Sequence, residues 1–175
     1  MTLTDAVRIL RARETSARAL MESCLAAARD PEGQGARVFT ELLADAALRA
    51  ADGADERLGY PGGAAGPPRL LEGVPISVKD LFDVEGAVTR AASLARPEAA
   101  PAAADAPAVA RLRSAGAIVI GRTNMTEFAY SGLGLNPHFG TPLNPFDRGA
   151  ERIPGGSSSG AAVSVRRMKK QASLV

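Results

Sequence analysis

The sequence predicts an α/β fold, and three observations carry that prediction. Two stretches near the start have apolar residues at helical spacing. Val74, Ile76 and Val78 alternate with Pro75, Ser77 and Lys79 in the period of a strand. Ala117 to Ile120 is an unbroken apolar run bounded by glycines, the pattern of a strand covered on both faces. With 175 residues, 46% of them apolar and 23% charged, the chain has material for one core and is not composed like a disordered segment.

In chain order, residues 4–13 and 16–29 each open on a hydroxyl residue suited to an N-cap, Thr4 and Ser16, and read as two packed helices. A short strand is expected around Val38 and Phe39. The alanine-rich segment 42–58 reads as a helix until Gly53 weakens it. Gly59 to Arg69, dense in Gly and Pro, is a loop. Pro75 is tolerated as the opening residue of the next strand, and Lys79 falls on the face opposite its apolar set. Ala92 to Pro107, rich in Ala and Pro, is expected to run over the surface. A helix up to Gly116, a strand, and a second helix capped by Asn124 with Glu127 three residues on should follow. More than twenty residues of Gly and Pro punctuation from Ser131 then lead to Gly155. Loops of such length usually wrap a site.

Composition excludes several functions. A net charge of +2 with no aromatics interleaved among the basic residues gives no reason to expect nucleic acid as a direct partner. The single cysteine, Cys24, reads as a core residue in a reducing compartment, and one Cys with one His cannot assemble a metal site. No stretch resembles a secretion signal or a membrane span, so the chain is expected to be soluble and cytoplasmic, with no membrane partner. A sharper feature is the distribution of cations. The chain holds 18 Arg and three Lys, and Lys169 and Lys170 lie in the last seven residues, which leaves Lys79 alone in the first 168. Arginine cannot release its proton at working pH, whereas a buried lysine can.

The loop Gly155 to Gly160 fits G-x-x-x-x-G, but Ala161 and Ala162 stand where a phosphate loop needs Lys and a hydroxyl residue. Its serines could instead act as nucleophile or relay if a base is near. His138, the one histidine, has no evident carboxylate orienter nearby in sequence; neutral Lys79 is the other candidate base. A flexible Gly and Ser turn remains the alternative at this point.

Four blocks, GVPISVKDLFDVEG, GRTNMTEFAYSGLGLNP, FGTPLNPFD and RIPGGSSSGAAVSV, in this order and at this spacing, resemble the amidase signature family from about residue 4 to Val165. The resemblance implies the N-terminal part of a mixed sheet covered by helices, incomplete here, and hydrolysis or transfer of carboxamide C–N bonds without metal or organic cofactor. It implies a triad of Lys, a serine preceded by a cis peptide bond, and a nucleophilic Ser. Lys79 matches the lysine and Ser157 the bridging serine. Gly155, Gly156, Ser158, Ser159 and Gly160 would shape the loop, and Ser131 and Gly132 would lie against the substrate, a small-molecule amide. Asn124, Glu127 and Phe128 read as scaffold. The family's nucleophile lies in a T-D-x-G-G-S block about two dozen residues after the bridging serine, past Val175, so the chain by itself is expected to be inactive. Residues 1–165 read as a partial amidase domain and 166–175 as an atypical basic tail, the product of a frameshift or truncation or, as the alternative, a solvated basic helix end evolved in place. Open sheet edges would then favour poor solubility or dependence on a partner. Two alternatives share these motifs: a non-catalytic fragment partnering a full-length amidase, and the glutaminase-type component of a tRNA-dependent amidotransferase. Association as a homo-oligomer or with amidotransferase subunits is compatible with either.

Overall fold

The computed structural model describes residues 1–63, 66–95, 98–146 and 148–171. Its N-terminal half is a helical layer. α1 (Leu3–Arg11) is capped by Thr2, not Thr4, because Thr2 and Asp5 form a reciprocal capping box. α2 (Ala17–Arg29) starts at Ser16, whose hydroxyl accepts from the Ala19 amide. The free amides of Ala17 and Arg18 donate to the Asp55 carboxylate at 2.6 and 3.0 Å. That contact ties the start of α2 to α4 (Ala44–Leu58) through the most favourable partner a helix N-terminus can have. Gly53 does not interrupt α4; packing outweighs its propensity, and Gly59, in the left-handed conformation, closes the helix. Val38 completes a four-residue turn, α3 (Gly35–Val38), so the expected strand begins one residue later as β1 (Phe39–Leu42).

β2 (Pro75–Lys79) opens on its proline, and α5 (Pro107–Ser114) leads into β3 (Ile118–Thr123), every residue of which is buried. The sheet order is β1-β3-β2, with β1 antiparallel and β2 parallel to the central strand. This mixed sheet is covered on both faces. Leu10, Met21, Leu25, Leu58, Ile118 and Ile120 form one core beneath the helical layer; Val78, Val84, Ala87, Val109 and Val119 form the other.

The pairing of β2 with β3 slips by one residue. Ile76 stands opposite Val119 but Ser77 stands opposite Gly121, so Ile120 is an extra residue in β3. Such a bulge swaps the faces of everything after it. Arg122 thereby shares a face with Val78 and Asp80, and Thr123 shares the other with Lys79 and Phe39. Arg122 and Asp80 are 0% and 1% exposed and form an ion pair at 2.7 Å. Both charges have further partners. Asp80 accepts from the Ala92 amide, and Arg122 donates to the Phe82 carbonyl and the Thr89 hydroxyl.

Two expectations are overturned here. Ala92 and Ser93 are buried rather than superficial, because Asp80 and the Asn136 side chain hold the Ala92 peptide from both sides. Asn124 caps no helix; only a 3-10 turn at Glu127–Ala129 follows, and the Asn124 amide instead donates to the carbonyls of Arg37 and Gly140. α6 (Ser159–Gln171) ends the described chain. The expected basic tail falls on residues whose side chains, from 166 on, lie outside the described residues, as do residues 172–175 altogether.

Removing one member of the buried ion pair leaves an uncompensated charge, so Arg122→Met should cost about 3–5 kcal/mol in urea unfolding, and Arg122→Lys less. An Arg122→Met variant as stable as the parent would contradict this account. Gly160 packs α6 against the end of β3, where an added Cβ would stand 2.3 Å from the Val38 carbonyl oxygen and 2.7 Å from the Asn124 nitrogen. Gly160→Ala should therefore lower the melting temperature by several degrees.

Candidate active site

β2 delivers Lys79 to the sheet face on which the start of α6 packs. Its Nζ lies 2.6 Å from Ser157 Oγ, a hydrogen bond between residues 78 positions apart. Lys79 is partly buried, and that burial lowers its amine from the ordinary lysine range. Among the described residues no opposing carboxylate offsets the shift, since the adjacent Asp80 is turned to the far face and paired with Arg122.

Ser157 is held by backbone. The Gly156–Ser157 peptide is cis, the Ser157 carbonyl accepts from the Thr126 amide at 2.9 Å, and the Gly156 amide donates to the Gly132 carbonyl at 2.8 Å. The two loops meet glycine to glycine. A Cβ on Gly134 would come within 2.2 Å of the Gly155 carbonyl oxygen, and one on Gly156 within 2.6 Å of the Gly134 nitrogen. Thr126 completes the junction, accepting from the Gly134 amide through its hydroxyl. Gly155 turns the chain at φ +78°. The Ser158 carbonyl accepts from the Ala162 amide in the first turn of α6. Ser159 is fully buried, and Gly160 donates its amide to the Asn124 carbonyl.

The remaining candidates are placed as follows. Gly132 reaches the site loop through its carbonyl, and Ser131 Oγ accepts from the Leu133 amide; a Cβ on Gly132 would meet nothing within 4 Å. His138 does have a carboxylate beside it, contrary to the reading from sequence distance. Glu127 Oε1 lies 3.2 Å from its Nε2 and also accepts from Ser93 Oγ. The carboxylate thus stands between serine and histidine, which is not the order that activates a serine. Glu127 accordingly acts as a strut between loops. Cys24 borders an apolar cavity of about 370 Å³ between α2, β2 and α6, and burial pushes its thiol up to about 11. Neither Lys79 nor Ser157 lines that cavity. Among the described residues there is no group of three or more potential metal ligands, and no helix is long and apolar enough to cross a membrane.

Sequence reading did not single out Thr123, Thr126, Gly134 or the Asp80–Arg122 pair. Only the last left a signal, since an arginine inside an otherwise apolar strand demands a buried partner.

A family model described as Amidase matches residues 21–169. Among curated proteins, the chain is 41% identical to 2-amino-5-chloromuconic acid deaminase of Comamonas testosteroni, covering 94% of this chain and 34% of that protein. It is 39% identical to the AtzE component of 1-carboxybiuret hydrolase from Pseudomonas sp. (strain ADP), covering 94% and 35%. It is 37% identical to a glutamyl-tRNA(Gln) amidotransferase component of Chromohalobacter salexigens, covering 94% and 32%. Among solved structures, the native peptide amidase from Stenotrophomonas maltophilia superposes with a TM-score of 0.74 at 35% identity, over 94% of this chain and 34% of that one. The chain thus spans about a third of the length of the relatives it matches. With a family model covering most of its length and a lysine and serine joined at the heart of the matched region, the chain belongs to the amidase signature family.

Proposed function

We propose that Lys79 and Ser157 are the base and bridging serine of an amide-hydrolysing triad, and that the nucleophilic serine is supplied from outside these 175 residues. The observation that carries this reading is the 2.6 Å contact between Ser157 Oγ and the one lysine of the first 168 residues. Burial without a counter-charge favours the neutral amine, the form a base requires. Neutral Lys79 takes the Ser157 hydroxyl proton while Ser157 takes the proton of the nucleophilic hydroxyl, which attacks the amide carbonyl. As the C–N bond breaks, Ser157 passes its proton to the departing nitrogen and Lys79 returns its own to Ser157, leaving an acyl-enzyme for water or another acceptor. Gly155, Gly156, Ser158, Ser159 and Gly160 hold the relay in place, and Ser131 with Gly132 borders the substrate. The reaction needs no metal or cofactor, its substrate is a small carboxamide, and the setting is cytoplasmic.

A second reading is supported by the match to glutamyl-tRNA(Gln) amidotransferase components. In it the same relay releases ammonia from an amide for transfer within a multisubunit assembly. Co-purification with other amidotransferase components from the native cell favours this reading; a chain that purifies without them favours the free amidase.

The test joins residues 1–165 to the C-terminal two thirds of the Comamonas deaminase and assays a panel of primary carboxamides. Activity is expected, with Lys79→Ala and Ser157→Ala each lowering kcat by about 10²–10⁴-fold. Because the neutral amine is the active form, rate should rise with pH through the lowered Lys79 pKa, and Lys79→Ala should abolish that limb. Hydrolysis that survives both substitutions would overturn the assignment.

A further inference from the structure

Folded proteins rarely leave a buried hydroxyl without a hydrogen-bond partner. Thr123 is 0% exposed, and its Oγ1 has no partner among the described residues. Its position gives that orphan a meaning. Thr123 stands directly opposite Lys79 in the parallel pairing of β2 and β3, so the two side chains leave the sheet on the same face. They do so only because Ile120 bulges; had Ile120 stayed in register opposite Ser77, Thr123 would stand opposite Asp80 and face the other core.

Lys79 has a matching deficit. As an ammonium it carries three N–H donors, yet Ser157 Oγ is its one hydrogen-bond partner among the described residues. The other charges near this row of the sheet are otherwise engaged or turned away. Asp80 and Arg122 point to the opposite face and pair with each other, and Glu41 on β1 stands in register with Arg122 rather than with Thr123. From Phe39, the residue paired with Thr123 on its other side, comes only an apolar ring. Among the described residues, a proton arriving on Lys79 therefore has no carboxylate to meet.

We infer that Thr123 is a positioning residue for Lys79: its hydroxyl accepts a hydrogen bond from the ammonium that forms when Lys79 takes the relay proton. This rests on the Lys79–Ser157 reading above and deepens it. As Ser157 Oγ gives up its proton, Nζ passes from two N–H donors and a lone pair to three donors, and the added demand falls where Thr123 Oγ1 has capacity to spare. The structure holds no bond between the two side chains, so the stabilisation comes with the donor that protonation adds and is applied to the charged form of the base, not to its resting form.

The scarcity of lysine makes the test direct. In Lys169→Arg/Lys170→Arg protein labelled with ¹³C,¹⁵N-lysine, Lys79 is the single side-chain signal, and its Cε shift against pH reports its pKa on the whole chain without any substrate. Thr123→Val, which keeps the shape and removes the acceptor, should lower the midpoint by about one pH unit, the equivalent of one lost hydrogen bond to a charged group. Thr123→Ser, which restores the hydroxyl, should leave it near the parent value. Should the valine variant not fold, Thr123→Ala against Thr123→Ser makes the same comparison. Ser157→Ala serves as the separate control on the underlying reading. If neither Ser157→Ala nor Thr123→Val moves Lys79, the Lys79–Ser157 relay itself is wrong. If Ser157→Ala moves it while Thr123→Val leaves it unchanged or raises it, or if serine and valine act alike, the role of Thr123 is refuted and the relay stands.

Discussion

The arrangement of this chain depends on the register between β2 and β3. One extra residue, Ile120, sends the two ends of β3 to different neighbours: Arg122 to Asp80 in one core, Thr123 to Lys79 on the other face. Had the strands paired without the bulge, Arg122 would lie on the Lys79 side. There its guanidinium would lose the Asp80 carboxylate that neutralises it within the core. Instead the strand end separates two tasks. Its closing charges neutralise each other within the core, and its closing lysine has, among the described residues, no carboxylate to stabilise the ammonium.

A second constraint is the contact of two glycine-bearing loops. Ser157 has no scaffold of its own, being neither in a strand nor in a helix. Its backbone is pinned by Thr126 and, through Gly156, by Gly132, with Gly134 pressed against Gly155. The approach is closer than any side chain would permit. Gly132 and Gly134, at the start of the long Gly and Pro segment, thus form a wall against the serine loop, and the hydrogen bonds of Asn136, Glu127, Ser93 and His138 brace the residues around it. A strand carries Lys79, while backbone-to-backbone packing carries its serine partner.

Much of this was legible beforehand, for reasons that can be named. The period of Val74, Ile76 and Val78 and the apolar run to Ile120 marked the two parallel strands because burial demands those patterns. Lys79 stood out because the chain uses arginine nearly everywhere else. Where reading failed, a tertiary contact replaced a local rule. Asn124 and Glu127 have capping-box spacing, yet the Asn124 amide is spent on the carbonyls of Arg37 and Gly140, which lie far away in sequence. Ala92 and Ser93 look like surface linker by composition but are drawn inward by the second oxygen of Asp80. His138 appeared to lack a carboxylate because Glu127 reaches it across a turn rather than along the chain.

By itself the sequence determined the two parallel strands and the isolation of Lys79, because these rest on residue type and periodicity, and its four motif blocks carried the resemblance that named the family and marked Ser157. Tertiary structure alone decided which face each residue near the end of β3 takes, since a bulge has no mark in composition and inverts the alternation from which faces are read. It also decided that Thr123 Oγ1 is buried on the Lys79 face with no hydrogen-bond partner among the described residues, because whether a polar atom is satisfied depends on every chain segment that reaches it.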